Sequence, residues 1–307
     1  MCQQYMGFIG VSTGGSLIMR VFPAWAAILG LPTDRLVGFD VAPGSPDEIY
    51  VDLVQKLRDD PDYRGALVTT HKMAVFRAAG HLFDSFDNFA LACHEVSSIA
   101  KRDGGRTLLG GAKDPITAGL ALEDFLPADH FSATGGSMII LGAGGSGTAL
   151  SWYLQDRPDR PEHITVTARR QASLDHLRAI HDARGTRPGA LRYVLTPGEE
   201  DVDELLAEQP AGTVVVNATG MGKDIPGSPL TDAAVFPEAG YAWEFNYRGS
   251  LEFLHQAEAQ RESRNLKVID GWDYFIHGWS QVVAEVFELE LTPERFHAMS
   301  KAAYEVR

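Results

Sequence analysis

Residues 138–155 read Met-Ile-Ile-Leu-Gly-Ala-Gly-Gly-Ser-Gly-Thr-Ala-Leu-Ser-Trp-Tyr-Leu-Gln, so Gly142, Gly144 and Gly147 form a G-x-G-x-x-G pattern. The pattern follows an apolar stretch and opens a helical repeat at Ala149, Leu150, Tyr153 and Leu154. That is the setting in which it signals a dinucleotide site. The first glycine permits a tight turn. The second lets backbone approach a pyrophosphate, and the third lets the helix pack on the strand. With Ala143, Gly145 and Ser146 they form a loop at a helix N-terminus, where negative charge is favoured. The next strand, His163 to Thr167, runs into Ala168-Arg169-Arg170-Gln171. An NAD site usually places Asp or Glu here for the ribose 2′-hydroxyl, and Asp175 lies several residues further on. Arg169 and Arg170 instead suit a 2′-phosphate, which guanidinium binds bidentately. The expected cofactor is therefore NADP, with NAD left open. A solvated helix start is the alternative account of the two arginines.

These residues need strands and helices to hold them. Gly7–Gly10, Leu36–Val41 and Gly65–Thr69 read as strands, and Val21–Leu29, Glu48–Leu57 and Met73–Phe83 as helices. Ser97–Arg102 and Arg106–Leu109 flank Asp103-Gly104-Gly105, a hairpin signal. After Thr117 come a helix over Ala118–Leu126 and strands at Met138–Leu141, His163–Thr167, Leu191–Leu195, Thr213–Asn217, Tyr241–Phe245 and Leu266–Ile269. Thr219–Pro229 is Gly/Pro-rich and reads as a surface loop. Helices over Tyr274–Leu289 and Pro293–Tyr304 close the chain. Alternation of this kind predicts an α/β fold with parallel strands.

Composition narrows the function classes. A chain of 307 residues suggests two domains, and its 45% hydrophobic and 22% charged fractions are those of globular proteins. The net charge of -14 argues against nucleic acid as a partner. No apolar run is long enough to span a membrane, and no secretory leader pattern is present. Cys2 and Cys93 cannot build a disulfide framework or a zinc site, and no histidine has ligand spacing, so no metal is expected. The expected compartment is the cytoplasm, and the expected assembly a monomer or homodimer.

Further motifs resemble those of the shikimate dehydrogenase family, in the family's order and over nearly the whole chain. Leu67-Val68-Thr69-Thr70-His71-Lys72 resembles V-T-V-P-H-K, which puts Lys72 on the family's catalytic lysine. Gly110-Gly111-Ala112-Lys113-Asp114 resembles G-x-N-T-D, which puts Asp114 on its catalytic aspartate. Asn217-Ala218-Thr219-Gly220-Met221-Gly222 resembles the N-A-T loop that runs beside the cofactor. Trp243-Glu244-Phe245-Asn246-Tyr247 resembles the D-x-x-Y segment, which implies that Tyr247 reaches the substrate. Gly271 matches a glycine near the nicotinamide, and Tyr274 stands where the family often has a ring-packing methionine. The resemblance implies an N-terminal α/β substrate domain over residues 1–116, completed by residues 271–307. It implies a Rossmann dinucleotide-binding domain over 117–270. The implied activity is NAD(P)-dependent interconversion of a ring ketone and a secondary alcohol.

The substrate motifs depart from the family. In its opening loop two serines hold the substrate carboxylate; here Ser16 takes the first place and Ile18 the second. Ala66 and Val68 replace an asparagine and a threonine, and Ser97 replaces an asparagine. The C-terminal glutamine position falls on Gly278, with Gln281 one helical turn later. A buried polar substrate group without a partner costs about 1–3 kcal/mol, so three or four such losses predict a small hydroxylated ring other than shikimate. In the implied chemistry neutral Lys72 accepts the hydroxyl proton during oxidation, and Asp114 orients Lys72 and bonds a substrate hydroxyl. His71 braces the motif. A shikimate or quinate dehydrogenase is the nearest alternative, and a non-catalytic nucleotide-binding sensor on the same fold is another.

Overall fold

A computed structural model describes residues 4–223 and 225–307. The chain divides into two compact units. One comprises the residues up to Lys113 together with Ile276–Arg307, and the other is Asp114–Phe275.

The first unit is built on six strands: β1 (Tyr5–Gly10), β2 (Leu36–Asp40), β3 (Tyr63–Val68), β4 (Ser85–Phe86), β5 (Ser98–Arg102) and β6 (Thr107–Gly111). Their order in the sheet is β2-β1-β3-β5-β6-β4. β1 runs parallel to β2 and β3, and β5 runs antiparallel to β3 and β6. Helices α1 (Ile18–Leu29), α2 (Asp47–Asp59), α3 (Lys72–Ala79) and α4 (Asn88–Cys93) connect them. Tyr50, Val54 and Leu57 put one face of α2 into a core with Ile9, Ala66, Val68 and Ile99. Residues i, i+4 and i+7 share a helix face, so the burial follows from the spacing.

The second unit contains α5 (Asp114–Glu123), α6 (His130–Thr134), β7 (Met138–Leu141), α7 (Gly145–Leu154), β8 (Ile164–Ala168), α8 (Gln171–Arg184), β9 (Leu191–Leu195), α9 (Glu199–Ala207), β10 (Val214–Asn217), β11 (Tyr241–Glu244), α10 (Glu252–Ala259) and β12 (Lys267–Ile269). All six strands are parallel, in the order β9-β8-β7-β10-β11-β12. Numbered within the unit this is 3-2-1-4-5-6, the doubly wound Rossmann order. Met138 and Ile140 enter the core on one face of the sheet, and Ile139 and Leu141 the core on the other. A strand buried on both faces reads as a continuous apolar run, as Met138–Leu141 does.

Two last helices, α11 (Trp272–Phe287) and α12 (Pro293–Tyr304), end the chain. Ile276, inside α11, is where the chain rejoins the first unit. There the Trp279 ring meets Phe8 edge-on at 4.9 Å, and Trp25 donates from Nε1 to the Met299 carbonyl at 2.7 Å. Helix α5 begins at Asp114 rather than Ala118, because Asp114-Pro115 makes its first turn. Proline is pre-shaped for that position and has no N–H to lose.

Candidate functional site

In an open parallel sheet, ligands bind beyond the carboxyl ends of the strands where the strand order reverses. Here that point lies between β7 and β10. The segments that follow them, Gly142-Ala143-Gly144 and Ala218-Thr219-Gly220-Met221, line a cavity of about 710 Å³. Small-molecule sites typically span about 300–1,000 Å³. The cavity wall continues through Arg169, Arg170 and Ser173 after β8, and through Thr196, Gly198 and Glu199 after β9.

Each glycine of the motif has a distinct steric reason. Gly142 has φ +110°, and a Cβ there would lie 2.9 Å from the Ala218 carbonyl oxygen. A Cβ on Gly147 would overlap the Gly142 carbonyl oxygen. Gly144 differs: nothing lies within 4 Å of where its Cβ would be, and it lines the cavity. So two glycines close the turn and the third keeps space open for a ligand. Gly144 also caps α7, whose first backbone N–H groups lack helical acceptors, and Ala143, Gly145, Ser146 and Gly147 surround that N-terminus. Arg169 and Arg170 are exposed at the cavity edge. Asp175 is exposed and accepts from Gln171 Nε2 at 2.8 Å. The carboxylate in the wall is instead Glu199, in the first turn of α9.

Asn217 is completely buried at the end of β10. Its Oδ1 accepts from the Thr219 backbone N at 3.1 Å and from Thr219 Oγ1 at 2.6 Å. That holds the Ala218-Thr219 turn against the glycine loop. Glu244 ends β11, also completely buried, and burial pushes its carboxyl up to about 7. Gly271 allows close packing: a Cβ there would overlap the Phe245 carbonyl oxygen. Tyr247 stacks near Phe275, with ring centroids 4.3 Å apart, and Tyr274 lies 4.2 Å from Phe245 at an interplanar angle of 17°.

In the first unit, Lys72 is half-buried and opens α3. The preceding His71 is buried, with Nε2 2.8 Å from the Val41 carbonyl oxygen and Nδ1 3.0 Å from Tyr50 Oη. A carbonyl only accepts, so Nε2 carries the proton and Nδ1 accepts from the tyrosine. His71 is thus a brace with both nitrogens engaged. Backbone bonds then join three segments. The Lys72 carbonyl accepts from Val96 N at 3.1 Å, and Ser97 N donates to the Gly111 carbonyl at 2.9 Å. Ser97 Oγ accepts from Lys113 N at 2.8 Å. Lys113 Nζ pairs with Asp87 at 3.1 Å and Glu285 at 3.2 Å. Ser97 is therefore buried and employed in holding the segment that delivers Asp114, the next residue. Asp114 is buried at the start of α5.

Ser16 is buried after a 3-10 turn over Thr13–Gly15. Ile18, Ala66 and Val68 are completely buried, and the latter two belong to the core of the first unit. Gln281 lies half-buried on α11, and among the described residues its amide has no hydrogen-bond partner. The sequence reading did not single out Thr196, Gly198, Glu199 or Glu244. The first three follow β9, and their signal was positional, as the carboxyl end of the strand beside β8. Thr219–Pro229 is more than a surface loop, since Met221 is buried and lines the cavity with Ile225 and Pro229.

No protein-family model matches the chain, and no curated protein matches it. Solved structures do. A quinate dehydrogenase from Corynebacterium glutamicum in complex with NAD has a TM-score of 0.72 at 20% identity, covering 99% of this chain and 99% of that chain. A shikimate 5-dehydrogenase from Thermus thermophilus in complex with NADP(H) and shikimate has a TM-score of 0.68 at 23% identity, covering 99% and 100%. A ligand-free 5-ketofructose reductase of Gluconobacter has a TM-score of 0.69 at 16% identity, covering 99% and 99%. The fold is that of the shikimate dehydrogenases, with a Rossmann unit as its second half.

Proposed function

We propose that this protein is an NAD(P)-dependent oxidoreductase of the shikimate dehydrogenase kind. It interconverts a ketone and a secondary alcohol on a small hydroxylated cyclic substrate other than shikimate, and prefers NADP to NAD. The observation that carries the reading is the cavity at the sheet's reversal point. There an open glycine, a helix N-terminus and two arginines come together. Those groups match a pyrophosphate and a 2′-phosphate in type. Similar structures crystallised with NADP+, NAD and NADP(H) add support.

Gly142 to Gly147 would hold the pyrophosphate, Arg169 and Arg170 the 2′-phosphate, and Asn217, Ala218, Thr219 and Gly271 the nicotinamide half. The bound cofactor supplies or accepts the hydride. Lys72 gives a proton to the carbonyl oxygen in reduction and removes it from the hydroxyl in oxidation. Its place at the first turn of α3, braced by His71, fits a group that must hold one position. Asp114 fixes that amine and bonds a neighbouring substrate hydroxyl. Ser16, Ser97, Tyr247 and Gln281 complete the substrate contacts, Gln281 with the least committed side chain.

What supports a substrate other than shikimate is the sequence itself: Ile18, Ala66 and Val68 stand where the family's motifs carry polar groups, and their side chains offer no partner for a carboxylate or hydroxyl. Each orphaned polar group would cost about 1–3 kcal/mol. One similar structure is a reductase of 5-ketofructose, a substrate without a carboxylate.

The test is a panel of cyclic polyols, ketoses and ring acids, assayed with NADP and NAD through cofactor absorbance. Turnover of shikimate at roughly 1–1000 per second would overturn the substrate assignment. In Lys72→Ala, cofactor binding persists and turnover disappears. Unchanged turnover would remove Lys72 from the mechanism, and a wild type that binds cofactor but turns over nothing in the panel would favour a sensor.

A further inference from the structure

Asn217 and Glu244 are directly paired residues at the ends of neighbouring parallel strands β10 and β11. Glu244 Oε2 accepts from Asn217 Nδ2 at 2.7 Å. Its Oε1 accepts from the Asn246 backbone N and from Asn246 Nδ2, both at 2.7 Å. The Asn246 amide also donates to the carbonyls of Thr219 at 3.2 Å and Met221 at 3.1 Å. On the other side, Asn217 Oδ1 takes the two Thr219 donors, and Thr219 Oγ1 accepts from Met221 N at 3.2 Å.

The polarity of this network has one source. Each partner of the Glu244 carboxyl is a nitrogen donor, so both its oxygens accept and both asparagine nitrogens turn toward it. That leaves Asn217 Oδ1 facing Thr219, the orientation the turn requires. Removing an ionised carboxylate from water is costly unless it is fully hydrogen-bonded, and the elevated carboxyl reflects that cost. A residue kept so deep only to fill space would be better apolar.

We propose that Glu244 is the positioning residue of the dinucleotide site: through Asn217 and Asn246 it sets the 217–221 turn against the glycine loop and so sets cofactor affinity. The proposal rests on reading the cavity as the cofactor site. Glu244 itself is completely buried and does not line the cavity.

The design exploits hydrogen-bond polarity. In Glu244→Gln a side-chain NH2 replaces one acceptor and faces an asparagine donor. In the double variant Asn217→Asp/Glu244→Gln, that NH2 meets a carboxylate, whose second oxygen still accepts from Thr219. Dissociation constants for NADP+ are measured by calorimetry on the full chain, and folding is followed by circular dichroism. Glu244→Gln weakens binding tenfold or more, and the double variant returns to within about threefold of wild type. Binding by Glu244→Gln within twofold of wild type, or a loss that Asn217→Asp does not recover, overturns the proposal. If Glu244→Gln does not fold, Thr219→Val serves. It leaves the carboxylate in place and cuts the network one bond further on, and unaltered affinity there overturns the proposal equally. Wild type that binds neither NADP+ nor NAD+ would instead defeat the reading of the cavity.

Discussion

His181 should make the Rossmann unit sensitive to acid. It is buried on α8, with Nε2 3.0 Å from Ser151 Oγ and Nδ1 3.0 Å from Thr186 Oγ1. Ser151 Oγ donates to the Thr148 carbonyl at 3.0 Å, so it accepts from Nε2–H. Thr186 donates to Nδ1. The neutral ring is fully satisfied, and a second proton would have to displace the threonine hydroxyl. Burial, helped by the Arg184 guanidinium and opposed by Asp182, holds the imidazole down at about 4, against an ordinary 6.5. A depressed value means that the unfolded chain takes the proton first. The stability contributed by neutral His181 is therefore complete above about pH 6.5 and is lost as pH falls toward 4. Between about pH 7.5 and about pH 4.5 the linkage integral comes to about 2–3 kcal/mol. Urea unfolding of wild type and His181→Gln at the two pH values isolates this amount, because every other titrating group cancels in the difference. Wild type should lose about 2–3 kcal/mol more than the variant on acidification. Equal losses within about 0.5 kcal/mol, well inside the ordinary spread of surface substitutions, would refute the reasoning.

Three further variants probe the sites. Gly147→Ala forces a methyl onto the Gly142 carbonyl oxygen; it should cost about 1–3 kcal/mol of stability in denaturant titration and weaken NADP binding in calorimetry. Arg169→Ala/Arg170→Ala should raise the NADP KM by at least about tenfold while leaving the NAD KM nearly unchanged, since only the former carries the 2′-phosphate. Ser97→Ala leaves the Lys113 N–H without its acceptor; it should cost about 1–3 kcal/mol, and kcat should fall more than cofactor affinity, measured by steady-state kinetics beside calorimetry.

Legibility followed the range of the forces involved. The requirement for glycine at 142 and 147 is set by contacts with the turn itself and the strand beside it, so a short pattern exposed it. The open space at Gly144 went with it. The start of α5 was misplaced although Asp114-Pro115 is a strong helix-opening pair, because the apolar pattern of that helix only becomes regular later. Thr219–Pro229 carries the residue types of a loop, and those types report chain reversal rather than burial, so the burial of Met221 and the place of Ile225 in the cavity wall are not legible in them. Glu244 was legible only as a motif letter. Its partnership with Asn217 depends on the register of two parallel strands separated by 27 residues, and no local pattern encodes register. Ser97 shows the same limit from the other side. Its place in a family motif implies a substrate contact, but the bond its hydroxyl accepts from Lys113 N is set by the pairing of β5 with β6 and has no local signature.

The two units use opposite means of holding the groups that the proposed function assigns to them. In the second unit, backbone crowding leaves no room for side chains at Gly142 and Gly147, and a closed polar network fixes the turn after β10. A substitution in either place disturbs its neighbours, so a dinucleotide site of this kind tolerates little drift. In the first unit, backbone bonds through Val96 and Gly111, together with the Ser97 hydroxyl, hold Lys72 and the approach to Asp114. Side chains at Ile18, Ala66 and Val68 take no part in those bonds. Ala66 and Val68 are packed in the core of the first unit, so their apolar character serves that packing. Under the proposed function, a fold arranged this way would keep its cofactor and its lysine while the residues around the substrate change.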